Sequence, residues 1–153
     1  MLMERVAEII RGWPYDGSLD RAEKIESGST LVNGDWVQKQ ADGGVAKVGS
    51  TATRAAGLVI VGNGDSASAS NANEAVVLWG NFIAHISNYD NTQTYVPGSA
   101  LTAKNGILTL ATAANMSATP PSLGDPVIAY VLDVVASSGF PNPQTAHLTI
   151  VMN

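Results

Sequence analysis

The sequence predicts an all-β protein, a compact antiparallel β-barrel or sandwich preceded by a short, partly helical N-terminal arm. Three observations carry that expectation. From Thr30 onward, short runs rich in β-branched and aromatic residues are cut about every ten residues by Gly, Asn, Asp or Pro. Several of those runs alternate apolar and polar side chains with the period of two that a half-buried strand requires. Charge, finally, is crowded before Gly28, whereas Arg54 and Lys104 are the only cations after Lys47. The chain is therefore divided into an arm, 1–28, and a β-domain, 29–153.

The 153 residues are enough for one domain with its own core. Cysteine is absent, which removes disulfides and thiolate metal sites and leaves packing or association to supply stability. A net charge of −5 without clustered Lys or Arg argues against a surface that neutralises phosphates, so no nucleic-acid partner is expected. Glu4, Arg5 and Glu8 interrupt the first ten residues, which are neither a signal-peptide core nor a bilayer span. No membrane partner is expected, and the protein is read as made in a cytoplasm and used there or in something assembled there.

Within the arm, "MLMERVAEII" sets Leu2, Val6, Ile9 and Ile10 at roughly helical spacing before Gly12, which predicts a short amphipathic helix. Pro14 and Gly17 then break the chain, and Asp20 with Glu23 three residues on predicts a single capped turn. Trp13 and Tyr15 need burial against something, in their own domain or a neighbour.

Strands are expected over 35–40, 56–61, 75–87, 107–111, 127–135 and 146–152. In "EAVVLWGNFIAHIS" one face carries Val76, Leu78, Phe82, Ala84 and Ile86, with Gly80 marking a bulge or a close backbone approach. The opposite face, with Val77, Trp79, Asn81, Ile83, His85 and Ser87, is too apolar to face water throughout. "YVPGSALTAKNGILTLAT" reads as a hairpin about the turn dipeptide Asn105-Gly106, with Pro97-Gly98 as an earlier turn. "TAHLTIVM" alternates as a half-buried antiparallel strand that closes the sheet.

The stretch "VIVGNGDSASASN" ends a strand on Gly62-Asn63-Gly64-Asp65. A dinucleotide site needs a third glycine and a following helix, and a P-loop needs a Lys-Ser/Thr pair; this stretch has neither. The reading is a chain reversal in which the glycines and Asn63 take positive φ, followed by a polar loop. His85, Ser87 and Asp90 permit a hydrolase constellation on paper, but residues two apart on a strand are some ~7 Å from each other. Two histidines without cysteine make a poor zinc set, and "NYDN" lacks the spacing of a calcium loop. No catalytic, cofactor-binding or metal-binding residue is assigned.

At "LVNGDWVQKQADGGV", "AVVLWGNFIAHIS", "YVPGSALTAKNGILTLATA" and "LGDPVIAYVLDVV", followed by "HLTIVM", the sequence resembles the capsid decoration proteins of tailed bacteriophages, also called cement or head-stabilising proteins. The resemblance covers about Thr30 to Asn153 as an order of elements. Two departures stand out: Ala129 occupies a place where many relatives have glycine, and the charged arm precedes Gly28. The resemblance implies a non-enzymatic virion protein on the outer capsid surface, made in the host cytoplasm. Its implied partners are the major capsid protein and itself, as a homotrimer, and it implies no cofactor.

Under that reading Val77, Trp79 and Ile83 form a contiguous apolar patch for subunit contact, since monomers seldom expose one above a few hundred Å². A second sheet of the same subunit is the other cover open to that patch. Leu2, Val6, Ile9, Trp13 and Tyr15 of the arm reach a neighbour or clamp the capsid. A competing reading from another class is a β-sandwich carbohydrate-binding module that stacks sugars on Trp36, Trp79, Tyr89 or Tyr95.

Overall fold

The computed structural model describes residues 7–12, 20–65, 73–139 and 144–152. Its strands, in chain order, are β1 (Ala7–Gly12), β2 (Asp20–Lys24), β3 (Trp36–Lys39), β4 (Val45–Lys47), β5 (Ala56–Val61), β6 (Glu74–Leu78), β7 (Phe82–Ile86), β8 (Ala100–Lys104), β9 (Ile107–Leu110), β10 (Ala129–Val135) and β11 (His147–Met152). They form a six-stranded sheet ordered β1-β7-β11-β10-β8-β9 and a five-stranded sheet ordered β2-β6-β5-β3-β4, with every named pair antiparallel. The protein is an all-β sandwich, as its alternating runs predict.

Alternation along the strands of the five-stranded sheet sends side chains into two separate cores. Trp36, Ala56, Leu58 and Leu78 point to the six-stranded sheet and meet Phe82, Ala84, Ile86, Leu148 and Ile150 in the main core. Their chain neighbours Val37, Val59 and Val77 point the other way and pack with Ile25, Leu31, Val45 and Ala75 in a second core. That second core is enclosed because the sheet curls on itself: Ile25, just after β2, bridges Val45 of β4 in parallel, and the Glu26 amide donates to the Val45 carbonyl at 3.0 Å. With an odd number of antiparallel strands, the first and last run the same way, so closure is necessarily parallel. Both faces of β5 and β6 are thus buried, which is why "AGLVIV" and "EAVVL" read as nearly continuous apolar runs.

The expected single strand over 75–87 is two strands in different sheets. Gly80 (φ 91°) and Asn81 (φ 54°) both adopt left-handed backbone, and this bend carries the chain from β6 in one sheet to β7 in the other. The expected hairpin about Asn105-Gly106 is present as β8 and β9. Positive φ at both turn residues, 53° and 77°, matches the twist of the flanking strands.

The helical expectations for the arm are corrected where it is described. Residues 7–12 are the edge strand β1, paired along β7, and residues 20–24 are β2, paired along β6. The open edges of β7 and β6 carry backbone donors and acceptors that need partners, and satisfying them outweighs the weak local preference for a helix. One strand from before Gly28 thus enters each sheet, and these residues belong to the ladders of the domain.

Candidate functional site

The three residues expected to form one apolar patch occupy three different environments. Val77 is 0% exposed, sealed in the second core of its own subunit, and is corrected as a contact residue. Trp79 is half-buried at the rim of that core, against Gly57, where an added Cβ would fall 2.5 Å from Val77 Cγ1 and 2.8 Å from Trp79 Cε3. Its indole Nε1 donates to Glu23 Oε1 at 3.1 Å, Lys39 pairs with Glu23 Oε2, and the Lys39 ammonium stands 6.0 Å from the indole centroid. Glu23 is itself buried, so this bonding is what makes its charge tolerable there. Trp79 therefore plugs its own subunit. Ile83 lies beyond the Gly80–Asn81 bend, on the other sheet. A patch continuous through all three does not exist, because the bend divides them.

Of the arm residues, Leu2, Val6, Trp13 and Tyr15 lie outside the described residues. Ile9 is in β1, with its backbone opposite Ala84 of β7.

Ile83 leads to a different surface. On β7, Phe82, Ala84 and Ile86 are buried in the main core, so Ile83 and His85 point outward. Across the sheet, Ile83 stands opposite Val151 of β11, and Val151 stands opposite Tyr130 of β10. Leu132 follows on β10 at a register shift between Val131 and Asp133; beyond it Asp133 stands opposite Thr149, whereas Val134 stands opposite the core residue Leu148 on the other face. Tyr130, Leu132 and Val134 are 40%, 45% and 41% exposed, while Ala129 and Val131 between and beside them are buried. The outer face of the six-stranded sheet is thus a ribbon of Ile83, Val151, Tyr130 and Leu132, with Thr149, His85 and His147 as its polar neighbours. The signal for it lay in "AYVLDVV", which is apolar at both alternations like the β6 run; only the tertiary placement tells which doubly apolar strand is covered.

The polar candidates are distributed as follows. His85 is brought to His147, ring centroids 4.3 Å apart. Asp90 lies past the end of β7, where Thr92 bonds Oδ1 through its amide (3.1 Å) and its hydroxyl (2.6 Å), and the Thr109 hydroxyl lies 3.4 Å from Oδ2. Chiefly through the Thr92 hydroxyl, these bonds hold the Asp90 carboxyl below its ordinary range. The Tyr95 hydroxyl donates to the Asp90 carbonyl at 2.8 Å, and burial, with the Asp90 charge nearby, pushes that phenol up to about 12. Asp90 thus works as a loop organiser, and its carboxylate oxygens serve Thr92 and Thr109. A small cleft of about 250 Å³ beside it is lined by Lys104, Thr109 and Thr112, with Lys104 engaged by Asp125 at 2.7 Å. Among the described residues no three His, Asp or Glu side chains converge on one point.

The Gly62–Asp65 reversal is built differently from the sequence expectation. None of its residues has positive φ. Gly62 and Gly64 are required by proximity: a Cβ on Gly62 would lie 2.0 Å from the Leu31 carbonyl oxygen. Asn63 Oδ1 accepts the Leu31 amide at 2.8 Å, and Asp65 Oδ2 accepts the amides of Gly62 (2.7 Å) and Asn33 (2.9 Å). The acceptors point inward to the 29–33 loop and hold two chain segments together.

The four aromatics of the sugar-binding reading do not form an exposed strip. Trp36 is fully buried and stacked on Phe82, Tyr95 is buried edge-on to Tyr89, and Trp79 is engaged as described. Comparison with protein-family models, with curated proteins and with solved structures returned no match. Among the described residues the arrangement offers a two-sheet scaffold with an outward apolar ribbon on the six-stranded sheet.

Proposed function

We propose that the protein is a structural virion component that binds the outside of a tailed-phage capsid and bridges major capsid protein subunits. The observation that carries this reading is the outward ribbon of Ile83, Val151, Tyr130 and Leu132. It lies on a sandwich whose two cores are otherwise closed, with Trp79 and Val77 satisfied inside the subunit. Apolar side chains at successive outward positions of adjacent strands gain free energy when another protein covers them, at roughly 25 cal/mol per Å². The order of sequence elements shared with decoration proteins supplies the class of partner, and the same resemblance supplies a homotrimer made in the host cytoplasm.

Stabilisation follows by mass action. A protein that binds only the assembled shell lowers the free energy of that state by RT ln(1 + [L]/Kd), about 2.7 kcal/mol per site at a hundredfold excess over Kd. Both sheets are pinned by reciprocal ladders, so the block transmits load between neighbours without a moving part. The reading needs no cofactor and no enzymatic step.

The deciding experiment mixes the purified protein with capsids lacking it and locates added density by cryo-electron microscopy. Density on the outer shell with the β7–β11–β10 face against a capsid subunit or a second copy supports the proposal. Capsids that remain bare at saturating protein overturn it.

A further inference from the structure

We infer that Asn105 is a site of spontaneous deamidation in the folded protein, its carboxamide converting to aspartate and isoaspartate ahead of the other two Asn-Gly dipeptides. The inference stands apart from the capsid reading, since it rests on one turn and its backbone. Asn-Gly occurs at Asn33-Gly34, Asn63-Gly64 and Asn105-Gly106. Glycine leaves its own amide nitrogen uncrowded, so all three are chemically competent in an unfolded chain. The fold separates them.

The reaction needs two groups released: the carboxamide, which is the electrophile, and the following backbone amide, which is the nucleophile. At Asn33, Oδ1 accepts the Ala7 amide at 2.9 Å and Nδ2 donates to the Ile60 carbonyl at 3.0 Å, while the Gly34 amide donates to the Val59 carbonyl at 2.9 Å. At Asn63, Oδ1 accepts the Leu31 amide at 2.8 Å and Nδ2 donates to the Ser29 carbonyl at 3.1 Å, while the Gly64 amide donates to the Leu31 carbonyl at 2.8 Å. Both reacting groups are held at both places. Asn105 is exposed, and among the described residues neither its carboxamide, its carbonyl nor the Gly106 amide has a hydrogen-bond partner. The peptide unit joining the two residues is therefore free to rotate, although the Asn105 amide donates to Gly49 and the Gly106 carbonyl accepts from Trp36 on either side of it. The side chain beside Gly106 is the stem of Lys47, which is half-exposed and flexible.

Hydroxide removes the Gly106 amide proton, and the nitrogen attacks Asn105 Cγ. A C–N bond forms, and the carboxamide nitrogen takes a proton from water and leaves as ammonia. Water then opens the succinimide ring at either carbonyl, giving aspartate or isoaspartate. One water is consumed, one ammonia is released and one negative charge is gained. The isoaspartyl product adds a methylene to the backbone of the two-residue turn between β8 and β9, at the residues that tie this hairpin to Trp36 and Gly49.

The test incubates the intact protein in mildly alkaline buffer beside a second sample in urea, and locates each conversion over time by peptide mapping with fragment mass spectrometry. In the folded protein Asn105 is expected to convert roughly tenfold or more faster than Asn33 and Asn63, and in urea the three rates are expected to converge. The inference is overturned if Asn33 or Asn63 keeps pace with Asn105 in the folded protein, or if Asn105 stays intact there while it converts in urea.

Discussion

Ile25 faces Val45 across a parallel bridge, and this contact turns the five-stranded sheet into a closed ring around Leu31, Val37, Val59 and Val77. The seam is narrow. Beyond the bridge it holds the Glu26 amide bond to the Val45 carbonyl, and Gly44 sits so close that its Cβ would lie 3.2 Å from the Glu26 nitrogen. Truncating Ile25 to Ala removes apolar contacts from the second core at the one place where the ring is not held by a continuous ladder. The expected cost is about 2–5 kcal/mol in urea unfolding. The Glu26 amide is expected to lose hydrogen-exchange protection before the amides of β10 and β11 do.

Gly62 is expected to tolerate no side chain. Placing a Cβ 2.0 Å from the Leu31 carbonyl oxygen forces two backbones apart, and the Asn63 and Asp65 bonds to the 29–33 loop are strained with them. Gly62→Ala is expected to destabilise by about 3 kcal/mol, at the upper end of overpacking costs. At Gly49, where nothing lies within 4 Å of an added Cβ, Ala is expected to be near neutral. Parallel thermal melts of the two variants test the contrast; equal melting temperatures would refute the close-approach account.

Asp125 supplies an acid limb to the stability profile. Burial raises its carboxyl pKa, but the Lys104 ammonium at 2.7 Å and the Thr112 amide at 2.8 Å outweigh that and hold it below the ordinary range. A carboxyl depressed in the folded state adds stability above its unfolded pKa of about 3.9, and that stability is lost as pH falls through the folded value. Asp125→Asn is therefore expected to be less stable than the wild type at pH 7 and to converge on it at the acid end. Denaturant midpoints measured from pH 7 to pH 2 give the comparison.

Tyr95 gives the alkaline counterpart. With its phenol pushed up to about 12, the folded state keeps this proton where the unfolded chain, near about 10, has released it. The contribution is fully present below pH 10 and disappears as pH rises through the folded value. Ultraviolet titration of phenolate is expected to show a late step that Tyr95→Phe removes.

On the outer ribbon, Leu132→Asp with Tyr130→Glu is expected to change stability by no more than about 0.5 kcal/mol, because both side chains are exposed in the isolated subunit. The same pair is expected to abolish self-association or capsid binding, read by light scattering and co-sedimentation. Val77→Asp, in contrast, is expected to unfold the protein, since it places a carboxylate among Val37, Val59 and Leu31.

The sequence by itself determined the all-β class and the positions of β3, β5, β9, β10 and β11 to within two residues. It also determined the Asn105-Gly106 hairpin. These depend on local chemistry: side-chain alternation and the backbone freedom of Gly and Asn act within a few residues of the chain. What only the tertiary structure decided was which apolar face meets which neighbour. Val77 and Leu132 lie on runs of similar texture, yet one is sealed in a ring closed by Ile25 and Val45 and the other stands in the open, because burial is a property of the surrounding strands. The same reason explains β1 and β2, recruited as edges by distant ladders against their helical spacing. It also explains the meeting of His85 with His147, which no reading along the chain brings together.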